Sequence, residues 1–291
     1  MPDPTLRQTF ESGGFVLAPG VYDMISALIA DQMDFQALYV TGYGIAASHM
    51  GLPDAGLTSY ADMLSRVAQI ARGTKKPIIA DGDTGYGGLL NVRHTVQGYE
   101  AAGVTAIQLE DQEFPKKCGH TKGRRVIPTQ DMVSKIKVAL EARQSEDFLI
   151  IARTDSRTSL GLDEATHRAN AYAKAGADLI FVESPESVEE LNTIAAQINK
   201  PLVANMVTGG RTPVLPAEQL KQLGYNLAIH PGLGFLSAGE ALRRGYTELL
   251  ESGDVTKQPL HDFDDFCRTL GFEDIWDFDA RWADPTKATA Q

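Results

Sequence analysis

The sequence predicts an α/β protein built as a (β/α)8 TIM-type barrel, and three observations carry that prediction. Eight short runs rich in Val, Ile and Leu recur in order along the chain. They are apolar almost without interruption, as strands buried on both faces of a parallel sheet require. Segments with helical spacing separate them, which is the alternation that parallel strands with right-handed crossovers produce.

The runs begin with FVLAPG at Phe15, ALYVTG at Ala37, PIIADGD at Pro77 and AIQLED at Ala106. FLIIARTD at Phe148, LIFVES at Leu179, PLVANM at Pro201 and LAIHPG at Leu227 complete the set. Between them, TSYADMLSRVAQIARGT opens at Thr58 on a Thr or Ser cap and stops at Gly73. NVRHTVQGYEAAG ends at Gly103, DEATHRANAYAKAG ends at Gly176, and SVEELNTIAAQIN follows the sixth run. An open doubly wound sheet would carry a GxGxxG fingerprint after its first strand, where APGVYD stands instead. We assign residues 1–250 to the barrel and 251–291 to a C-terminal helical tail. That tail holds both tryptophans, Trp276 and Trp282, and is too apolar to be solvated. It is expected to pack on the barrel or on a neighbouring subunit, with the final PTKATAQ disordered.

Bulk properties narrow the function classes. The 291 residues are 43% hydrophobic and 22% charged, ordinary for a globular protein. The net charge of −11, from 27 basic against 38 acidic residues, argues against nucleic acid as a partner. No apolar run approaches the roughly 20 residues of a membrane span. The opening MPDPTLRQTFESGG lacks the layout of a signal peptide. Two cysteines, Cys118 and Cys267, are too few for a disulfide framework. The expectation is an enzyme of the reducing cytoplasm. GxSxG, HExxH, paired CxxC and P-loop motifs are all missing, so their chemistries lose support.

In a barrel, the C-terminal strand ends and the loops after them form the active face. Those positions carry Asp81, Asp83, Glu110, Asp111, Arg153, Asp155, Glu183 and Asn205. Crowded carboxylates repel each other unless a positive charge lies among them. A hard divalent cation is one answer, because Mg²⁺ prefers carboxylate oxygen and water. Asp81 and Asp83, two apart, face the same side of an extended segment. The other answer is that one or both cap the turn at Gly82 and Gly85. After the fourth run, a loop from Gln112 to about Pro128 carries KKCGH with Lys116, Lys117, Lys122, Arg124 and Arg125. Loops longer than about 12 residues in compact domains are often lids. Cations beside Cys118 are expected to lower its pKa, and a basic lid suits a polyanionic substrate; an exposed basic loop with an incidental thiol is the other reading. Cys267 reads as a small buried hydrophobe, and His49, His94 and His167 read as structural.

KKCGH, with ADGDTGYG upstream and ARTD downstream, resembles the isocitrate lyase / phosphoenolpyruvate mutase superfamily. GLPD at Gly51, LED at Leu109, VES at Val182 and ANM at Ala204 fit the same pattern in order, from about Phe15 to Gly245. The resemblance implies Mg²⁺, with Mn²⁺ as an alternative, held directly by Asp81 and largely through water by Asp83, Glu110 and Asp54. It implies that Tyr39, Thr41 and Gly42 contact the 2-oxo-acid half of a carboxylate substrate. Arg153 would bind a carboxylate, Glu183 and Asn205 would line the far side, and Gly119 and His120 would bind substrate under the closed lid. Lys116 and Lys117 would serve the substrate carboxylates and the thiol's acidity.

In the lyases of this family the KKCGH cysteine protonates the carbanion released by C–C cleavage, a role that falls on Cys118. The implied base is Tyr39 or a water held by Glu183 and Arg153. The products would be pyruvate or glyoxylate and a second carboxylate. NMVTGGRTP after the seventh run is most like the 2,3-dimethylmalate lyase / petal-death-protein branch, with methylisocitrate lyases near in size. Pro231, where a serine would suggest oxaloacetate hydrolase, argues against that activity. An oxaloacetate hydrolase or decarboxylase, a phosphonate enzyme and a catalytically silent binding protein are the competing readings. The family further implies a homotetramer, a dimer of dimers, with the last barrel helix swapped between subunits.

Overall fold

The computed structural model describes residues 2–121 and 123–283; Lys122 and the terminal PTKATAQ lie outside the described residues. Eight parallel strands close into a barrel in the order of the chain. They are β1 (Val16–Val21), β2 (Leu38–Val40), β3 (Ile78–Asp81), β4 (Ala106–Glu110), β5 (Leu149–Thr154), β6 (Leu179–Val182), β7 (Leu202–Asn205) and β8 (Leu227–His230). Each falls on the apolar run that predicts it, β1 running one residue past FVLAPG to Val21. The seam closes where β1 pairs with β8, Val16 opposite Leu227 and Pro19 opposite His230.

Helices follow the strands as the sequence patterning requires. Tyr60–Gly73 starts on Ser59, whose hydroxyl accepts from the Asp62 N–H at 3.3 Å while the Asp62 carboxylate accepts from the Ser59 N–H at 3.0 Å. That reciprocal cap satisfies two otherwise free donors of the first turn. Leu89–Ala101, Leu162–Ala175 and Val188–Gln197 match the other three predicted segments. Thr129–Ala142 fills the crossover after β4. An unexpected helix, Pro4–Glu11, precedes β1 and inserts Leu6 and Phe10 into the inner core. Its Arg7 donates to the Glu146 carbonyl and pairs with Asp178 at 3.0 Å, tying it to the loops that enter β5 and β6.

Strand alternation divides the core in two. Val16, Tyr39, Ile79, Ala106, Leu149, Ile151, Phe181, Val203 and Ile229 fill the barrel. Their sequence neighbours, among them Leu38, Val40, Ala80, Ile107, Ile150, Ile180 and Ala228, pack outward against the helices. Burying each large aliphatic side chain contributes about 1.5–3 kcal/mol. Because side chains alternate with a period of two, the same parity decides which residue of each strand end faces the mouth.

Asp111 illustrates the outward parity. Its carboxylate accepts from Thr154 Oγ1 (2.7 Å), the Asp155 N–H (2.8 Å) and Tyr172 Oη (2.7 Å), and pairs with Arg168 at 3.3 Å. It joins the β4 and β5 ends to the helix Leu162–Ala175 and belongs to the scaffold.

The chain divides into two compact units, Met1–Ser237 and Ala238–Gln291. In the second unit, Phe263–Thr269 and Phe272–Trp282 are helical, Phe272 packs near Trp276 and Phe278 near Trp282. Phe263, Trp276 and Trp282 are exposed in the single chain, and Cys267 is half-buried.

Asp111→Ala should cost about 3–5 kcal/mol of unfolding free energy, because it removes one buried ion pair of Arg168 and leaves the Asp155 N–H and the Tyr172 hydroxyl without this acceptor. Denaturant unfolding checks this, and a loss under about 1 kcal/mol would show that Asp111 is not a structural knot.

Candidate active site

The inward row of the barrel mouth carries Tyr39 on β2, Asp81 on β3, Gln108 and Glu110 on β4 and Arg153 on β5. Glu183 follows β6, Asn205 ends β7 and Pro231 follows β8. Each lies two or four residues beyond an inner-core residue of its strand, so the alternation that fills the barrel also aims the site. A cavity of about 210 Å³ opens here, lined by Tyr39, Asp54, Asp81, Arg153, Glu183 and Asn205. Thr41 lines it too, as do Cys118, Gly119 and His120 of the lid. Gly42, Asp83, Glu110, Lys116 and Lys117 do not reach the cavity wall.

Arg153 is the central cation. Its Nε and Nη2 donate to the two Asp155 oxygens at 2.9 and 2.8 Å. Nη1 lies 3.4 Å from Glu110 and Nη2 lies 3.4 Å from Glu183. The guanidinium rests 5.2 Å above the Phe181 ring. This fork geometry is specific to arginine.

On the acidic side, a tight turn follows Asp81. The Asp83 N–H donates to Asp81 Oδ1 at 3.0 Å, and Asp83 adopts φ 48, a left-handed conformation that Asp tolerates better than most residues. A Cβ built on Gly42 would lie 2.9 Å from Asp81 Oδ2, so only glycine lets that backbone come so close. Glu110 Oε1 is buried without a hydrogen bond among the described residues, whereas Asp83 Oδ1 is taken by a lysine of the lid. Lys116 supplies the positive charge here, with its ammonium paired to Asp54 and, at 2.6 Å, to Asp83. Burial pushes the Asp83 carboxyl up to about 7 despite that lysine, with Asp81 and Asp54 adding to the rise. Burial likewise drives Glu110 well above the usual carboxylate range. Among the described residues, no three carboxylate, imidazole or thiol groups form a ready-made ligand array. The donor chemistry still suits a hard divalent cation: oxygen ligands in excess, with Glu110 Oε1 buried and unpartnered among the described residues, and Asp81 approached by glycine backbone.

The lid folds over this mouth. Its neck is pinched by an isolated bridge between Gln112 and Val126. Lys116 anchors the loop before Cys118, and the Cys118 N–H donates to the Asp54 carbonyl at 3.0 Å. Beyond Cys118, Arg124 donates to Asp155 at 2.6 Å and to Thr158 Oγ1 at 2.5 Å. Ser184 Oγ donates to the Gly119 carbonyl at 3.0 Å, and a Cβ on Gly119 would come within 2.7 Å of Glu183 Oε2. His120 Nδ1 accepts from the Arg211 N–H at 3.2 Å, and Nε2 lies 3.3 Å from Asn205 Nδ2 and 3.6 Å from Glu183. Asn205 Nδ2 donates to Glu183 at 3.0 Å, and its Oδ1 has no partner among the described residues. Lys117 is exposed, with Nζ on the Gly123 carbonyl at 3.2 Å.

One sequence expectation is corrected. The lid cations were expected to acidify Cys118, but burial pushes its thiol up to about 11. The His120 N–H and Arg153 favour the thiolate, while Asp54 and Glu183 oppose it. Neither lysine acts on the sulfur, because Lys116 is engaged by carboxylates and Lys117 faces solvent. The thiol therefore holds its proton at neutral pH. Burial, reinforced by Asp81, also raises the Tyr39 phenol well above its ordinary value; its hydroxyl donates to Gln108 Oε1 at 3.2 Å.

Sequence reasoning left Gln108, Arg124 and Ser184 without roles. Gln108 was detectable as a polar residue on the inward parity of β4. Arg124 and Ser184 act through contacts 31 and 65 residues away, to which the sequence offers no local signal. Of the histidines read as structural, His49 meets Arg66 at 2.8 Å and His94 packs on Tyr60.

In a Cys267→Ser background, alkylation of Cys118 at pH 8 should run about a hundredfold slower than that of an exposed cysteine. Its rate should keep rising about tenfold per pH unit past pH 9. Iodoacetamide kinetics test this, and a plateau near pH 8.5 would contradict it.

Residues 6–250 match the family model described as phosphoenolpyruvate phosphomutase. The chain is 43% identical over 281 residues to 2,3-dimethylmalate lyase of Eubacterium barkeri, covering 96% of this chain and 97% of that protein. It is 40% identical to 2-methylisocitrate lyase of Aeropyrum pernix, covering 96% and 90%. A crystal structure of phosphonopyruvate hydrolase in complex with oxalate and Mg²⁺ superposes with a TM-score of 0.87 at 27% identity, covering 98% and 100%. With the barrel, the acidic turn and the cysteine lid in place, these matches establish that the chain belongs to the phosphoenolpyruvate mutase / isocitrate lyase superfamily.

Proposed function

We propose that this chain, a carbon–carbon lyase of its superfamily, cleaves a 2-hydroxy dicarboxylate of the 2-alkylmalate type. The products are a 2-oxo acid, pyruvate for a 2-methylated substrate, and a second carboxylate. The observation that carries the reading is the largely buried thiol of Cys118, set in the same cavity wall as Arg153, Glu183 and Asp81 of the acidic turn, where burial favours its protonated form. A thiol that must donate a proton to carbon needs to hold it until the carbanion forms, and burial ensures that it does.

Asp81, Asp83, Glu110 and Asp54 would hold a divalent ion, Mg²⁺ or alternatively Mn²⁺. When bound, that ion supplies Lewis-acid stabilisation of the charge developing on the 2-oxygen. Thr41 and Gly42 orient the 2-oxo-acid half. Arg153 binds the second carboxylate, oriented by Asp155. The hydroxyl proton leaves to a water oriented by Glu183 and Arg153; the Tyr39 phenol, still protonated, donates to the substrate. The C2–C3 bond then breaks, its electron pair becomes an enolate on the departing carboxylate, and Cys118 Sγ–H protonates that carbon. The proton first taken from the hydroxyl restores the thiol. His120 and Asn205, braced on Glu183, close the far side and exclude water.

The exposed aromatic side chains of the second unit support a homotetrameric assembly with exchange of the last barrel helix, and the reduced cysteines suit the cytoplasm. No helix among the described residues is long and apolar enough to cross a membrane.

Cys118→Ser should lower turnover about 10²–10⁴-fold while leaving Mg²⁺ and product-analogue affinity within a few-fold, read by product assay and calorimetry. Near-normal turnover would remove Cys118 from the proton transfer. Arg153→Lys should cost at least about a hundredfold in kcat/KM, since a point charge cannot reproduce the bidentate hold on Asp155. Chelation of divalent ions should abolish turnover and added Mg²⁺ restore it; full activity after chelation would exclude the metal role.

A further inference from the structure

Around the closed barrel the mouth is divided by chemistry. Carboxylates occupy the ends of β3 and β4, and Arg153, Glu183 and Asn205 follow on β5, β6 and β7. The remaining arc, after β8, is apolar: Pro231, Phe235 and Leu236 line the cavity there, with Tyr43 beside them.

This wall is built to hold its shape. A Cβ on Gly234 would lie 2.8 Å from the Gly20 carbonyl and 3.2 Å from Tyr22, so the turn after β8 locks against the end of β1 through glycine. The Phe235 ring packs 5.0 Å from Tyr43 and 6.2 Å edge-on from Tyr22. Leu236 leans over Gly232, where an added Cβ would meet its Cδ1 at 3.2 Å. The wall also lacks a cation. Arg153 is the one Lys or Arg among the described residues that line the cavity. Arg124 is engaged by Asp155, Lys116 by Asp54 and Asp83, and Arg211 by Glu186.

We propose that Pro231, Phe235, Leu236 and Tyr43 form the subsite for the substrate's alkyl substituent, and that Phe235 and Leu236 select alkyl-bearing dicarboxylates against tricarboxylates. The inference rests on the lyase reading above and adds the residues that set its specificity. An alkyl group seated here exchanges water for aromatic and aliphatic contact, worth about 10–200-fold in kcat/KM per methyl or methylene. Leu236 and Tyr43 are partly exposed in the single chain, so a third carboxylate facing this arc would be partly stripped of water without gaining a cationic partner, which disfavours it.

The test measures kcat/KM of the full chain with Mg²⁺ on malate, 2-methylmalate, 2,3-dimethylmalate and 2-methylisocitrate. Leu236→Arg, Leu236→Ala and Phe235→Ala are assayed beside the parent. The parent should gain at least about tenfold for the better alkyl-bearing dicarboxylate over malate and should disfavour the tricarboxylate. Leu236→Arg should shift the tricarboxylate-to-dicarboxylate ratio upward by at least about a hundredfold, since arginine can grip the added carboxylate. Both alanine variants should flatten the alkyl preference. A parent that prefers the tricarboxylate, or ratios unmoved in all three variants, overturns the subsite. If the parent cleaves none of the four acids, the lyase reading itself falls; if it cleaves them without alkyl preference, only the subsite does.

Discussion

Arg153 and the lid's Arg124 share the carboxylate of Asp155, and this junction links the charge of the mouth to the position of the lid. Arg153 takes both oxygens of Asp155 and faces Glu110 and Glu183 with its remaining surface. Arg124 reaches the same carboxylate from the other side of Cys118. Buried charges are tolerated only when paired and hydrogen-bonded. Here each pairing also places a functional group: Arg153 in the cavity, and the Cys118–His120 segment over it. Asp155 lies below the usual carboxylate range, held there by Arg153 and then Arg124 against the cost of burial.

On the other flank of the lid, Lys116 answers a similar need. The carboxylates of Asp54 and Asp83 are close enough to repel, and the ammonium between them compensates. Buried ion pairs of Lys116 and Arg124 thus tie down the lid before and after Cys118, while the thiol makes none. Burial outweighs the pull of Arg153 and keeps the sulfur protonated, which suits a proton donor to carbon and would defeat a nucleophile.

The eight strands were legible because each is buried on both faces, so hydrophobicity alone marks it. The inward row was equally legible in principle: period-two counting from inner-core residues leads to Tyr39, Asp81, Glu110, Arg153, Glu183 and Asn205. That counting also separates Glu110, which faces the mouth, from Asp111, which braces β5 and Tyr172. Read as a cluster of acids, the two look alike. The thiol's acidity was misjudged because sequence proximity to Lys116 and Lys117 says nothing of where their ammonium groups go. Arg124 reads as one more lid cation until the lid folds. The apolar arc was hidden for another reason: Phe235 and Tyr43 lie 192 residues apart, and only barrel closure brings their rings together.

The central claim is that Cys118 delivers one proton to the carbanion carbon of the departing carboxylate. The most direct measurement runs the Mg²⁺-loaded protein on 2,3-dimethylmalate in D₂O and examines the carboxylate product by NMR. The account predicts one deuterium at the former C3, on a single face, in every turnover. Deuterium on both faces equally, or none at that carbon, would contradict it.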